Sequence, residues 1–397
     1  MRLSSLQIAI FLTSTLSYGM SFNTLCDYAY KASGEIIQTN GRLLANTHEK
    51  ASALSYEPIL FEGTTSAIQG KSGSNSGVLY GGMFNFQLKK PALQKATADL
   101  YDQNTKIIDQ EIQLQQQLIQ VDLKRDWLIA MLEQERLEVL HEKENSAKKA
   151  YSLGEKKLLA GRMSQMELMR LQSEVRTVNQ ELSLGEMEFE HTQHNLQETT
   201  MLHETIVIDD LPFSFIADDN RIEERIKNAA ILKILNAQTM VLDTQIKNAH
   251  YAGNESISMG AGASNDPNQN SVNFTITIPL VFSEKNDKKI AALMAQKSAL
   301  LHRRDITHQK LQMNIHTLLE HLETREKRFK EAIVFEKEQK MLMEMAKKGY
   351  EGGIIGQFEY LSTRNSYYNT RLQAIELKRD YIKEMSAMEE KLGRIWE

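Results

Sequence analysis

The residues of this sequence best suited to hold a metal ion are its methionines, of which there are 18 among 397 residues. Thioether sulphur is a ligand that suits Cu(I). Two groups are closely spaced, namely Met163, Met166 and Met169, and Met341, Met343 and Met345. A spacing of three keeps the first group on one face of a helix, whereas a spacing of two scatters the second group around it. Because methionine at helical spacing usually fills a core, and the ten histidines show no ligand spacing, we predict neither a metal site nor a cofactor.

Motifs of the common enzyme classes are missing from the sequence. HExxH, GxGxxG, GxxxxGKS/T and GxSxG do not occur. The single cysteine, Cys26, excludes a disulfide framework and any CxxC metal or redox site. We therefore expect a transporter, tether or scaffold and no enzyme. With 47 Lys and Arg against 52 Asp and Glu, the net charge of -5 gives no reason to expect a nucleic acid partner.

The beginning of the chain has the layout of a secretory signal peptide. Arg2 precedes an apolar run over about 6–16, and small residues follow it. This predicts a signal peptide over residues 1–19, with an ordinary amphipathic first helix as the alternative. The residues before Cys26 are not those of a lipidation signal. Since no later run of 18 apolar residues follows, we expect an exported chain that can enter a membrane only as β-structure.

Two segments, 58–88 and 256–282, each read as strand, turn, strand. The clearest strand, 271–282, alternates apolar residues on one face with polar residues on the other. Its apolar residues are Val272, Phe274, Ile276, Ile278, Leu280 and Phe282, and 78–88 repeats the pattern with Val78, Tyr80, Phe84, Phe86 and Leu88. Such strands fit the lipid-facing wall of a barrel, and they also fit a soluble hairpin packed on a helix.

A membrane-spanning reading of these hairpins requires more than one copy of the chain. Bacterial outer-membrane barrels begin at about eight strands, so the four strands of one chain cannot close a barrel. Two or three copies would supply about eight or twelve strands.

Most of the remaining sequence predicts helices of unusual length. Its five prolines leave two stretches of about 120 residues without any, 92–211 and 280–397. Apolar residues recur there at helical spacing, which predicts one pair of helices from Pro91 to about Lys149 and from about 163 to 198. The second pair is predicted over 284–347 and 356–395, and glycines mark the break inside each pair.

The order of predicted elements occurs twice, which indicates a tandem duplication. An offset of 192 superposes Gly161 on Gly353 and Gln165 on Gln357. We predict a first repeat over 20–200 with its tip near 160–162, and a second over 221–397 with its tip near 352–354. Residues 201–220, around Pro212, form a short connecting segment between them.

Three stretches carry a resemblance to a known family. The two helix breaks read KLLAGRMSQMELMRLQSEV (157–175) and KKGYEGGIIGQFEYLSTRNSYYNTRLQAIEL (347–377), and the corner from strand to helix reads FTITIPLVFSEKNDKKI (274–290). Together, at this spacing, they resemble the TolC-like outer membrane efflux protein family over essentially the whole exported chain.

The resemblance implies a fold that is mainly α with a β-barrel contribution. In this family three protomers each give four transmembrane strands to a twelve-stranded outer-membrane barrel, and their long helical hairpins continue as a periplasmic tunnel. It implies a passive exit duct of a tripartite efflux or type I secretion system. The implied partners are two further copies of the chain, outer-membrane lipid, a periplasmic adaptor and an inner-membrane pump of unstated class.

The resemblance also implies roles for residues near the breaks. The tips that meet the adaptor would be Ala160, Gly161, Arg162, Gly352, Gly353 and Ile354. Tyr350 and Glu167 match the family's closed gate, and Glu359 matches its acidic constriction. Ile355 stands where the family has an arginine, so the usual ion-pair lock is in doubt, and Ser362 stands at the second acidic position.

Two other functions compete with the channel. A periplasmic adaptor also uses long helical hairpins, but it would need one hairpin flanked by paired lipoyl-like halves. A soluble coiled-coil scaffold would not account for the signal peptide or for the alternation over 271–282. The cargo and the class of pump stay open.

Overall fold

The computed structural model describes residues 21–69, 76–204, 206, 221–252, 256–266, 269–278 and 284–396. The predicted signal peptide (1–19) lies outside the described residues, as does most of the connecting segment 201–220. The elements, in chain order, are α1 (Phe22–Ala32), α2 (Gly34–Leu54), β1 (Leu60–Ile68), β2 (Gly77–Lys89), α3 (Pro91–Leu159), α4 (Gln165–Thr200), α5 (Ile222–Lys227), α6 (Ala230–Ala252), β3 (Ser256–Asn265), β4 (Asn270–Thr277), α7 (Lys285–Glu351) and α8 (Gln357–Leu392).

The helix α3 is longer than the sequence predicts. It begins at Pro91 as expected, but it continues to Leu159, ten residues beyond the predicted end at Lys149. Gly154 is the only strong helix-weakening residue in this extension, and it is needed for packing. A Cβ atom there would lie 2.5 Å from Leu171 of α4. The 69 residues of α3 give a rod of about 100 Å.

The four strands form one antiparallel sheet in the order β1-β2-β3-β4. Its register places Phe61 beside Phe84, Phe84 beside Ala261, and Ala261 beside Phe274. Because side chains alternate along a strand, all apolar residues of this row and their i±2 neighbours share one face, the apolar face. The opposite, polar face carries Glu62, Thr64, Ser66, Asn85, Gln87, Ser258, Ser264, Asn273, Thr275 and Thr277. The alternation predicted for 78–88 and 271–282 is therefore confirmed in the described parts of β2 and β4, whereas Leu280 and Phe282 lie outside the described residues.

The apolar face is uncovered in the single chain. Phe274 is 80% exposed, Val272 71% and Phe61 64%. Within the described residues no helix packs on the sheet, in contrast to the alternative of a hairpin packed on a helix.

The helices form a layer that continues from the sheet. Near the sheet, α3 packs between α2 and α6, and α6 packs on α7. Towards the other end, α3 packs between α4 and α8, and α8 packs on α7. Among the described elements, the layer therefore has one uncovered side at α2 and α4, on the side of β1, and another at α7, on the side of β4.

The hydrophobic core lies where α3, α5, α7 and α8 meet, around Leu132, Ile226, Ile315 and Tyr381. The last described residue, Trp396, donates its backbone N–H to the buried Glu389 over 2.6 Å. None of the helices in the described part of the chain has a stretch long and apolar enough to cross a lipid bilayer.

The turns at the two helical tips depend on glycine. Gly161 and Gly353 have φ angles of 68° and 73°, in the left-handed region, and a Cβ atom there would meet nothing within 4 Å. An alanine at either position is therefore strained by its backbone alone, at a cost of about 1–2 kcal/mol.

We expect Gly161→Ala and Gly353→Ala each to lower the melting temperature measured by circular dichroism. Gly41→Ala, inside α2 with equal free space and no positive φ, is the matched control. It is expected to be neutral or to stabilise by about 0.4–1 kcal/mol. Equal effects at all three positions would contradict the strained-turn explanation.

Candidate functional site at the helical tips

The first tip is a tight turn between α3 and α4 that exposes Ala160, Gly161 and Arg162. The Gly161 N–H donates to the carbonyl oxygen of Leu158 over 2.9 Å, and the Arg162 N–H donates to that of Lys157 over 2.8 Å. These bonds satisfy carbonyls at the end of α3, as expected of a glycine-terminated helix.

The second tip repeats this geometry between α7 and α8. The Gly353 N–H donates to the carbonyl oxygen of Tyr350 over 3.2 Å, and the Ile354 N–H donates to that of Gly349 over 2.8 Å. Gly352, Gly353 and Ile354 are exposed, as are apolar side chains on both tips. Leu159 is 89% exposed, Ile354 83% and Phe358 77%.

Glu167 caps the helix that follows the first tip. Its carboxylate accepts the backbone N–H and the hydroxyl of Ser164, each over 2.8 Å, while the Ser164 hydroxyl accepts the Glu167 N–H. This capping box satisfies two otherwise unpaired groups at the start of α4. The bond from the Ser164 N–H, and then that from its hydroxyl, lowers the pKa of Glu167. The contribution of this carboxylate to stability is therefore complete above its unfolded pKa and is lost as pH falls through the folded pKa.

Tyr350 is buried between the two hairpins of one chain. Its ring stacks on that of Tyr360 with centroids 4.8 Å apart, and the Lys157 ammonium lies 3.6 Å from the Tyr350 ring centroid. Lys157 also donates to the Tyr350 carbonyl oxygen over 3.0 Å. Burial, followed by nearby Tyr360 and Glu167, raises the pKa of Tyr350. Its buried hydroxyl has no hydrogen-bond partner among the described residues.

Glu359 differs from Glu167 although both follow a tip by the same distance. The N-cap of α8 is Gly356, which has no side chain for a capping box. The Glu359 side chain is exposed. Its charge is therefore available to solvent.

Two side chains to which the sequence analysis assigned no role, Gln357 and Lys157, join the tips near Glu167 and Tyr350. Gln357 donates its side-chain amide to the Glu167 carbonyl oxygen over 2.9 Å, which joins the start of α8 to that of α4. Lys157 joins the end of α3 to the end of α7. Both tips of one chain are thus held to each other.

A buried ion pair holds the hairpins together one to two turns above these contacts. Arg364 of α8 is fully buried, pairs with Glu174 of α4, and donates to the Ser146 carbonyl oxygen of α3 over 3.3 Å. The spacing of Gln357, Tyr360, Arg364 and Tyr367 places them on one face of α8. This helical periodicity is the feature from which the buried face could have been predicted. Ile355 is partly buried and packs against the cluster that contains Tyr350, Tyr360 and Leu171.

A cleft of about 470 Å³ opens between α3, α7 and α8 beside these residues. Its lining combines aromatic and charged side chains, among them Tyr350, Tyr360, Tyr368, Glu142, Lys149 and Lys347. Among the described residues no group of His, Cys, Asp and Glu is placed to hold a metal ion.

Comparison with known proteins identifies the fold. No family model matches the sequence, and a search of curated proteins finds no relative. Solved structures match along nearly the whole chain. CusC, a transmembrane channel, superposes with a TM-score of 0.75 at 14% identity, over 94% of this chain and 92% of its own. The chain has the fold of TolC-like outer membrane channels.

Two further structures agree with this assignment. A membrane protein from Pseudomonas aeruginosa gives a TM-score of 0.74 at 15% identity, over 96% of this chain and 92% of its own. The outer membrane protein VceC from Vibrio cholerae gives 0.69 at 13% identity, over 95% and 97%. The predicted fold class, mainly α with a β contribution, is therefore confirmed. This chain consists of long helical hairpins and a small antiparallel sheet. At these identities the likeness concerns the fold, so the roles of the tip residues stay predictions.

We expect Arg364→Met to destabilise the protein by about 3–5 kcal/mol, because it leaves the Glu174 carboxylate without its buried partner. The control Arg42→Met removes an ion pair with Glu111 whose arginine is 54% exposed, and is expected to cost about 1 kcal/mol or less. Urea unfolding followed by circular dichroism measures both.

The double variant Arg364→Met/Glu174→Met should lose less stability than the sum of its single variants, because neither charge is then stranded. A cost of Arg364→Met no larger than that of Arg42→Met would rule out a stabilising role for the buried pair.

Proposed function

We propose that this protein is an outer-membrane channel in which three copies close their sheets into one barrel and their helices into a tunnel. The observation that carries the proposal is the sheet itself, which exposes aromatic and aliphatic side chains on one face and polar side chains on the other. A sheet with these two faces suits a wall between lipid and water. It has no such use in a soluble protein, where exposed apolar area of this kind promotes aggregation.

The free edges support a ring of identical chains. The outer edges of β1 and β4 carry backbone N–H and C=O groups that no strand of the described chain pairs, and such groups are costly in lipid. Pairing β1 of one copy with β4 of the next removes both edges at once. The uncovered sides of the helical layer lie beside these same strands. The rotation that places β1 of one copy beside β4 of the next therefore also brings the helices of the two copies into contact. A head-to-tail contact that repeats until it closes gives a cyclic oligomer.

Three copies fit the need for a path through the barrel better than two. Two copies give about eight strands, and a barrel of that size is filled by its own side chains. Three copies give about twelve strands, which leave room for a polar lumen.

The helices support a duct that reaches inwards from the outer membrane. The rods of α3 and α7 extend about 100 Å from the sheet. The apolar side chains exposed on both tips, Leu159, Ile354 and Phe358, offer a surface for the periplasmic adaptor of an efflux or secretion system. We assign the chain a passive role, with energy supplied by an inner-membrane pump, and we expect no catalysis.

The periplasmic adaptor is the alternative. Long helical hairpins fit both functions. In a periplasmic adaptor, however, the apolar face of the sheet would be exposed to water, because no lipid covers it there. Separating membranes from the periplasmic extract distinguishes the two, because the channel must be recovered in the outer-membrane fraction and the adaptor alternative predicts recovery without detergent.

Adjacent residues of β4 test the lipid contact of the apolar face. We expect Phe274→Lys to reduce recovery in the outer-membrane fraction, because a lysine facing the lipid costs about 2–4 kcal/mol near the middle of the bilayer. Asn273→Lys, on the polar face, is the matched control and should insert normally. Equal recovery of both variants would argue against a lipid-facing surface.

The gate proposed here uses Tyr350 and Glu167 to hold the tips together and Glu359 to set the charge at the constriction. Three Glu359 carboxylates around a narrow pore would favour cations. We therefore expect Glu359→Gln to lower the permeability ratio of K⁺ to Cl⁻ in planar bilayers, measured from the reversal potential in a KCl gradient. An unchanged reversal potential in the conducting variant would refute the carboxylate ring.

A further inference from the structure

The polar face of the sheet carries one charged side chain well inside a strand, that of Glu62. Among the described strand residues on this face, Lys89 is the only other ionic side chain, and it stands at the last position of β2. All other polar side chains on this face are hydroxyls or amides.

Lys89 does not neutralise Glu62, because its charge is already paired. Its ammonium lies 2.9 Å from the Glu57 carboxylate and donates to the carbonyl oxygens of Ala53 and Ser55 over 3.1 and 3.3 Å. Glu62 is held instead by a neutral group, since the side-chain amide of Asn85 donates to it over 2.8 Å. The position of the carboxylate is therefore fixed while its negative charge stays uncompensated.

The polar face is crowded at the level of Glu62. Met83 lies directly opposite Glu62 in the register, and Gly260 faces Asn85 on the next strand. A Cβ atom at Gly260 would lie only 2.8 Å from the Met83 sulphur and would overlap the Asn85 amide oxygen. Glycine at 260 therefore leaves space on this face for the side chains of Met83 and Asn85. A cavity of about 470 Å³ on this face is lined by Glu62, Asn85, Gln87, Ser258 and Thr275, among others.

We infer that Glu62 is a second determinant of ion selectivity, located inside the barrel near the junction of strands and helices. This inference rests on the proposed function, because the ring forms only when copies of the chain surround one lumen. Each copy then contributes one fixed carboxylate at the same level. A ring of carboxylates in a pore with low-dielectric walls raises the local concentration of cations and repels anions.

Glu62 acts independently of Glu359. Glu62 is the third residue of β1, whereas Glu359 follows the far end of α7, a helix of 67 residues that spans about 100 Å. This distance is more than ten times the Debye length of about 8 Å at physiological ionic strength. The two carboxylates therefore select ions in series, one at each end of the path.

The test uses the purified full chain in planar bilayers, in the Glu359→Gln background so that the Glu359 carboxylates make no contribution. The reversal potential in a KCl gradient gives the permeability ratio of K⁺ to Cl⁻. We expect Glu62→Gln to lower this ratio at least about twofold and Glu62→Lys to bring the preference to the anion side. Thr64→Gln introduces an amide two residues along the same face without changing the charge, and it should leave the ratio unchanged.

A second measurement works within one folded channel. Glu62→Cys is titrated with thiol-specific reagents that add either a sulfonate or a quaternary ammonium group. The sulfonate should restore the cation preference and the ammonium should reverse it. Cys26 does not interfere, since it is buried and burial raises the pKa of its thiol to about 11.

The outcomes separate the two proposals. Channels that conduct with the same permeability ratio in Glu62→Gln, and in both modified forms of Glu62→Cys, would overturn the role of Glu62 and leave the channel function standing. A parent chain that inserts no conducting pore would overturn the proposed function and the inference together.

Discussion

The unpaired edges and the uncovered apolar face of the sheet constrain how copies of this chain and their long helices can be arranged. In lipid, every backbone N–H and C=O group must find a partner within the protein. The strands β2 and β3 meet this condition inside one chain, whereas β1 and β4 each leave one edge without a partner strand in the described residues. In the proposed channel, the sheet is therefore completed only by neighbouring copies of the chain, and the helices that extend from it would follow the same symmetry.

At the far end of the molecule, the two hairpins of one chain are joined by a different kind of interaction. Tyr350 is stacked on Tyr360 and contacted by Lys157, while Arg364 and Glu174 form an ion pair away from water. Such an ion pair contributes little net stability, but losing one of its partners is costly because the other charge then stays buried without compensation. In the proposed gate, these contacts would keep the two hairpins of one chain together at the tip.

The sequence was sufficient to predict the strands, the long helices and the turns. Alternation over 271–277 has period two, the helical periodicity continues without proline, and Gly161 and Gly353 mark positions with positive φ. Pairing across 190 residues, as between Arg364 and Glu174, could not be predicted because it depends on how the hairpins pack. The capping role of Glu167 could have been predicted from Ser164 three residues earlier. The family resemblance instead implied a role for Glu167 in a gate.

The mass of the detergent-solubilised complex, measured by native mass spectrometry, tests the central claim most directly. The account predicts a complex of three chains, whose strand edges are paired between copies and which needs detergent to stay in solution. A single chain that remains monodisperse in plain buffer would contradict the account, because its sheet edges and its apolar face would then need no partner.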